Sequence, residues 1–245
     1  MKLLFISLGC DKNLVDSEEM LGMLAADGHQ IVDDEDEAEV IIVNTCCFIG
    51  DAKEESVNTI LEMAEKKKAG TCKVLIVTGC MAQRYKKEIS EEIPEVDAIL
   101  GTTSYGDIIK AVKEAEAGRH FEEYKSIDFL PNISGKRMLT TGGHFAYLKI
   151  AEGCDKHCTY CIIPKLRGSY RSVPMEQLVK EAQSLAEQGV KELILVAQET
   201  TLYGKDLYGK KSLHVLLKEL CKIKGIRWIR ILYCYPEEIT DELID

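Results

Sequence analysis

Three apolar runs, each followed by a cysteine, constrain this chain more than any other feature. Residues 3–8, Val40–Val43 and Lys73–Val77 read as strands with both faces buried, because a strand solvated on one side would alternate apolar and polar residues. Cys10, Cys46 and Cys80 stand just past their C-terminal ends. Between the runs, the periodicity predicts helices over Val15–Asp27 (stopped by Gly28), over Lys53–Lys68 (broken by Gly70) and from near Gln83. A fourth strand is expected at Val96–Leu100 and a helix at Asp107–Glu116. Strands alternating with helices predict an α/β fold, a Rossmann- or flavodoxin-like open parallel sheet with helices on both faces. Ligands gather at the C-terminal edge of such a sheet, so the three cysteines are expected to converge in space. The alternative is three independent loop residues, or buried thiols behaving as small apolar groups. Cys47, Cys72, Cys221 and Cys234 are expected to be packing residues.

Residues 121–143 are less regular, with Pro131, Gly135, Gly142 and Gly143. They read as a linker or hairpin between a domain over 1–120 and a second over 144–245. The second domain is expected to run as strand 145–151, a cysteine loop, helix Pro174–Gln188, strand Glu192–Val196, helix from Ser212 to Ile223, strand Trp228–Leu232 and a last helix from near Pro236. That makes three β/α repeats, too few to close a barrel. The expectation is a C-terminally truncated half-barrel with an unpaired strand edge.

The chain has 245 residues, 46% of them hydrophobic, enough for two cores. Its net charge of −10 argues against the basic stripe that nucleic-acid binding needs. Lys66-Lys67-Lys68 suits a helix C-terminus, and the acidic run Asp33–Glu37 suits a solvated loop. The N-terminal apolar run is too short for a signal peptide, and no run of about 18 apolar residues is present. The expectation is a cytoplasmic protein with no membrane association. Ten cysteines in such a chain point to metal or redox chemistry, not to disulfides.

Cys154, Cys158 and Cys161 stand at C-x-x-x-C-x-x-C spacing in a short loop between the strand-like run Phe145–Ala151 and Ile162-Ile163-Pro164. Three thiolates can hold three irons of a cubane cluster. Clusters that only carry electrons normally have four cysteine ligands, so one iron would stay open to an exogenous ligand. The competing readings are a zinc knuckle with His157 as fourth ligand, or three unrelated thiols. The five histidines are scattered, and no His/Asp/Ser constellation is visible.

This loop, with the aromatic Tyr160 before its last cysteine, resembles the radical S-adenosylmethionine (radical SAM) superfamily. Gly9-Cys10-Asp11-Lys12-Asn13-Leu14-Val15-Asp16-Ser17-Glu18, Asn44-Thr45-Cys46 and Thr78-Gly79-Cys80 add a resemblance to its methylthiotransferases over essentially the whole chain. The first of these segments, Cys161-Ile162-Ile163-Pro164 and Val196–Gly209 look like the RimO-type branch. The resemblance implies two [4Fe-4S] clusters, one on Cys154, Cys158 and Cys161 that binds and cleaves S-adenosylmethionine, and an auxiliary one on Cys10, Cys46 and Cys80 that supplies sulfur. It implies transfer of a methylthio group to the β-carbon of an aspartate of small-subunit ribosomal protein number twelve. A 5′-deoxyadenosyl radical would take the hydrogen, and a second S-adenosylmethionine would give the methyl group. An electron donor such as flavodoxin or ferredoxin is implied as partner, with tRNA less favoured. Gln198 and Glu199, at the end of the second strand of the barrel, are the candidate cofactor contacts, and Tyr160 is expected near the adenine. Ordinary loop capping is the alternative for all three. Val173 stands where the family usually has arginine. The family also continues through six barrel repeats and a TRAM domain, which again implies truncation. The alternatives are a tRNA adenosine methylthiotransferase of the same family, a non-catalytic iron–sulfur electron carrier, and a zinc-stapled binding module.

Overall fold

In the computed structural model, residues 1–131 and 137–245 are described, and they divide into two compact units, Met1–Met138 and Leu139–Asp245. The first unit runs β1 (Lys2–Ser7), α1 (Asp11–Ala26), β2 (Gln30–Val32), β3 (Val40–Thr45), α2 (Gly50–Lys68), β4 (Val74–Gly79), α3 (Cys80–Arg84), α4 (Lys86–Glu92), β5 (Ala98–Leu100), α5 (Ile108–Glu116) and β6 (Phe121–Glu123). The strands pair in the order β2-β1-β3-β4-β5-β6, all parallel. Every residue of β3 and of β4 is buried, as their unbroken apolar runs require. Leu3, Ile42, Ile76, Ala98 and Leu100 form one core with Met20 and Leu24 of α1 and Ile108, Ala111 and Val112 of α5.

Two short strands were not legible in advance. β2 and β6 have three residues each, below the length at which periodicity shows. β6 lies in the segment expected to be a linker, yet it pairs with β5 at Ala98↔Phe121 and Leu100↔Glu123. The first sheet therefore extends past residue 120. Arg137 also belongs to this unit, its guanidinium lying 3.1 Å from the buried Glu18 carboxylate of α1. Residues 132–136 of the expected linker, Gly135 among them, lie outside the described residues.

The second unit runs β7 (Phe145–Lys149), β8 (Ala151–Glu152), α6 (Ile163–Arg167), β9 (Arg171–Ser172), α7 (Met175–Glu187), β10 (Glu192–Val196), α8 (Lys205–Tyr208), α9 (Leu213–Leu220), β11 (Trp228–Ile231) and α10 (Asp241–Ile244). β10 is the middle strand of a parallel sheet, between β7 and β11. β8 and β9 make a small antiparallel pair, Ala151↔Ser172 and Glu152↔Arg171. Leu178, Ala182 and Leu185 recur at helical spacing along α7, and Leu213, Leu216 and Leu220 along α9. Both stripes pack on Leu148, Leu193 and Leu195 of the sheet. These are the three β/α repeats expected of a half-barrel.

Ile76 sits fully buried in β4, a central strand of the first sheet. Ile76→Ala is expected to destabilise that unit by about 2–5 kcal/mol, read as a lower urea midpoint with unchanged slope.

Candidate functional site

Parallel pairing sets the strands that lead to the N-terminal cysteines side by side. β1, β3 and β4 are neighbours, and Cys10, Cys46 and Cys80 follow their C-terminal ends. The strand order reverses between β1 and β3, so Cys10 and Cys46 flank the position where doubly wound sheets open a crevice. The backbones touch there. Gly9 has φ +93°, and a Cβ on it would lie 2.6 Å from Cys46 Cβ and 3.0 Å from Cys46 Sγ. Gly79 also has φ +93°, and its Cβ would meet Asn44 Oδ1 and, at 2.5 Å, the Thr45 carbonyl.

Buried polar side chains hold this edge. Asn13 Nδ2 donates to the Leu8 and Thr45 carbonyls at 2.8 and 3.1 Å. Asn44 Nδ2 donates to the Asn13 carbonyl and to Ser17 Oγ at 3.0 and 2.8 Å. Ser56 Oγ accepts from Cys46 N at 3.0 Å and donates to the Cys46 carbonyl at 2.8 Å. Cys10 is exposed at the N-cap of α1, Cys46 is buried and Cys80 half-buried as the first residue of α3.

The second cysteine loop is clasped at its base. Glu152, directly before Gly153-Cys154, is buried with Lys149 and Arg167. Its Oε2 lies 3.2 Å from Lys149 Nζ and 3.1 Å from Arg167 Nη1, and its Oε1 accepts from Gln198 Nε2 at 2.6 Å. Burial alone would raise the Glu152 carboxyl, but the Arg167 and Lys149 charges and the Gln198 hydrogen bond hold it well below the usual carboxylate range. Gly153, at φ +81°, packs so close that a Cβ would collide with the carbonyls of Gly168 and Ser169. Cys154 N donates to the Gly168 carbonyl at 3.1 Å, and Tyr170 N to Asp155 Oδ1 at 3.1 Å.

The far side of the loop is tied to the segment after β11. Lys156 Nζ meets Glu238 Oε1 at 2.6 Å and lies 4.6 Å from the Tyr235 ring centre. Tyr235 OH is 3.9 Å from Cys158 Sγ. Cys154, Cys158 and Cys161 are all half-buried, and burial pushes the Cys154 thiol up. An open cavity of about 420 Å³ borders the loop at Asp155 and Lys156 and is lined also by Tyr170, Leu202, Lys205, Asp206 and Glu238.

At the end of β10, Gln198 and Glu199 carry two buried acceptors without a hydrogen-bond partner among the described residues, Gln198 Oε1 and Glu199 Oε2. Glu199 is fully buried, and its Oε1 takes the Thr201 amide at 3.0 Å and the Thr201 hydroxyl. Tyr160, expected near an adenine, is 84% exposed. Among the described residues, no three His, Cys, Asp or Glu side chains are drawn together as a ligand set for a metal ion. Cys47 and Cys72 are buried as expected of packing residues, whereas Cys221 and Cys234 are exposed, because each falls just past an element's last packed residue. The Lys149–Glu152–Arg167 clasp was missed in the sequence. Its signal was there: two charges, Lys149 and Glu152, in an otherwise apolar strand run.

Two family models match the chain. One, described as uncharacterized protein family UPF0004, covers residues 2–101, and the radical SAM superfamily covers residues 148–245. The ribosomal protein uS12 methylthiotransferase RimO of Lachnoclostridium phytofermentans is 66% identical over 245 residues, covering 100% of this chain and 56% of that protein. The protein of the same name from Clostridioides difficile is 55% identical over 244 residues, covering 100% and 55%. The chain thus spans about half the length of the curated relatives it matches. Among solved structures, the radical S-adenosylmethionine methyltransferase TsrM from Kitasatospora setae aligns with a TM-score of 0.62 at 13% identity, over 99% of this chain and 56% of that one. The cobalamin-dependent S-adenosylmethionine radical enzyme OxsB aligns with a TM-score of 0.55 at 15% identity, over 90% and 36%. At such identities the likeness shows the fold alone.

Gly79→Ala forces a side chain into the left-handed region and against the Thr45 carbonyl. A loss of about 1–3 kcal/mol or more is expected, measured by thermal unfolding, with Gly118→Ala, whose added Cβ meets nothing, as the milder control for the same sign of φ.

Proposed function

Because this chain belongs to the radical SAM methylthiotransferase family, with RimO-type relatives, we propose that it is the part of a ribosomal-protein methylthiotransferase that carries both iron–sulfur sites. The reaction is the addition of a methylthio group to the β-carbon of an aspartate of protein uS12. The observation that carries this reading is the pair of three-cysteine sets, one past the strand ends of the first unit and one in the loop after β8, on a chain matched along its whole length by proteins of that name.

The residues suit the groups they would hold. Cys154, Cys158 and Cys161 share one short loop fixed at its base by Glu152 and on its far side by Lys156 and Tyr235. Cys10, Cys46 and Cys80 share one sheet edge. Cys154, Cys158 and Cys161 would hold a [4Fe-4S] cluster that would supply an electron for cleaving S-adenosylmethionine, and Cys10, Cys46 and Cys80 would hold a second that would supply sulfur. The β-C–H of an aspartate is far too weak an acid for a side-chain base to deprotonate, so a radical route suits this substrate. The protein's own task is to bind and orient. Gln198 Oε1 and Glu199 Oε2, buried acceptors awaiting donors, suit the cationic amino end of S-adenosylmethionine. Leaving such acceptors bare costs about 1–3 kcal/mol each, which a bound ammonium would recover. Tyr160 remains the candidate for the adenine. The proposed electron donor is a flavodoxin or ferredoxin, and the proposed compartment is the cytoplasm. No helix among the described residues is long and apolar enough to cross a membrane.

Anaerobic reconstitution with iron and sulfide is expected to give absorption near about 400 nm and roughly eight irons per chain. Dithionite and S-adenosylmethionine should then yield 5′-deoxyadenosine, read by mass. Cys158→Ala is expected to abolish that product and to keep about half the iron. A colourless zinc protein, or product at the normal rate in the variant, would sink the reading.

A further inference from the structure

The carboxylate that clasps the cysteine loop also decides which way Gln198 faces. Glu152 Oε2 lies between the cations of Lys149 and Arg167 at 3.2 and 3.1 Å. A carboxylate paired in this way is ionised and only accepts hydrogen bonds. Gln198 must therefore turn its NH₂ toward Glu152 Oε1, at 2.6 Å. Its carbonyl oxygen is then directed elsewhere, and it is that atom which is buried without a partner among the described residues. The neutral amide has two faces of opposite polarity. Which one a ligand meets is set by the partner on the other side.

We propose that Glu152 is a positioning residue that locks the Gln198 amide with its oxygen toward the cationic amino group of the cofactor. This rests on the reading that the chain binds S-adenosylmethionine. Glu152 stands directly before Gly153-Cys154, so one carboxylate fixes both the start of the cysteine loop and the polarity of an acceptor at the end of β10. Without the carboxylate, the amide can flip and present a donor to a cation. The cofactor would then lose one hydrogen bond and meet a repulsive dipole.

The test is binding without turnover. Reconstituted, oxidised protein is titrated anaerobically, with no reductant, against S-adenosylmethionine and against 5′-methylthioadenosine, which lacks the amino-acid end. E152Q is expected to load iron as the unmodified chain does. It should bind S-adenosylmethionine about tenfold more weakly, the size of one charge-assisted hydrogen bond, and 5′-methylthioadenosine unchanged. The double variant E152Q/Q198A should bind no more weakly than Q198A alone, because Glu152 acts through Gln198. Unchanged S-adenosylmethionine binding in E152Q, equal weakening for both ligands, or additive losses in the double variant would each overturn the proposal. Should E152Q fail to load iron, E152D decides. It keeps a carboxylate beside Lys149 and Arg167 but, one methylene shorter, draws it back from Gln198 Nε2. About tenfold weaker binding supports the proposal, and unchanged binding overturns it. If the unmodified chain loads clusters yet binds no S-adenosylmethionine, the functional reading itself fails. If it binds and E152Q matches it, only the role of Glu152 fails.

Discussion

Parallel strand pairing is the constraint on which the rest of this molecule depends. β3 and β4 are buried along their whole length, and β10 over four of its five residues. A parallel strand covered on both faces has no room for chemistry along its length. Polar and metal-binding side chains are therefore displaced to the strand ends. The C-terminal edge is the one that collects them, since successive strands all point that way. Both units obey the same rule. Cys10, Cys46 and Cys80 lie past β1, β3 and β4, and the Glu152–Cys161 stretch and Gln198–Glu199 lie past β7 and β10.

Displacing polar groups to a buried edge has a cost, and both units meet it with networks of partners. In the first unit amides and hydroxyls of Asn13, Ser17, Asn44 and Ser56 satisfy backbone carbonyls and amides that the strand ends leave over, beside the buried Lys12–Asp11 and Arg137–Glu18 ion pairs. In the second, Glu152 lies between Lys149 and Arg167. Removing one partner of such a buried pair typically costs about 3–5 kcal/mol, whereas the intact pair adds little stability over an apolar substitute. A network of this kind is better explained by what it orients than by what it stabilises. Here it holds the start of a loop with three thiols and an amide whose oxygen has no partner among the described residues.

Much of this was legible in the sequence, and the exceptions have physical reasons. Long apolar runs announce buried strands, so β1, β3, β4, β7 and β10 were placed within a residue or two. Three-residue edge strands carry too few side chains to show a period, so β2 and β6 were missed and the sheet was ended too early. Adjacency of the strands carrying Cys10, Cys46 and Cys80 follows from topology, which local patterns do not specify. The clasp at Glu152 joins residues from three separate elements, β7, β8 and α6, with Gln198 after a fourth. No local spacing encodes such a meeting. Cys221 and Cys234 were misjudged because their type suggests burial, while their positions just past the packed stripe of α9 and the end of β11 decide against it.

The glycines before the cysteines were legible but undervalued. Gly9, Gly79 and Gly153 each precede a candidate ligand, and each has a positive φ. A left-handed residue at a strand end reverses the chain abruptly, so the next residue stays at the sheet edge and is not carried off into solvent. Each of these glycines is also crowded, against Cys46, Asn44 and Thr45, and the Gly168 and Ser169 carbonyls respectively. A side chain there would both strain the turn and push neighbouring strand ends apart. Freedom of φ alone would account for glycine in an open turn such as Gly28 or Gly118, where an added Cβ meets nothing. Crowding together with positive φ is a stricter demand. It is met next to Cys10, Cys80 and Cys154, in two units of different sheet order, and turn geometry alone does not require it. Gly204 meets it too, against Ser212 and Tyr208, so the demand is one of close packing, and at Gly9, Gly79 and Gly153 it falls on the residue that brings a cysteine to the edge of its sheet.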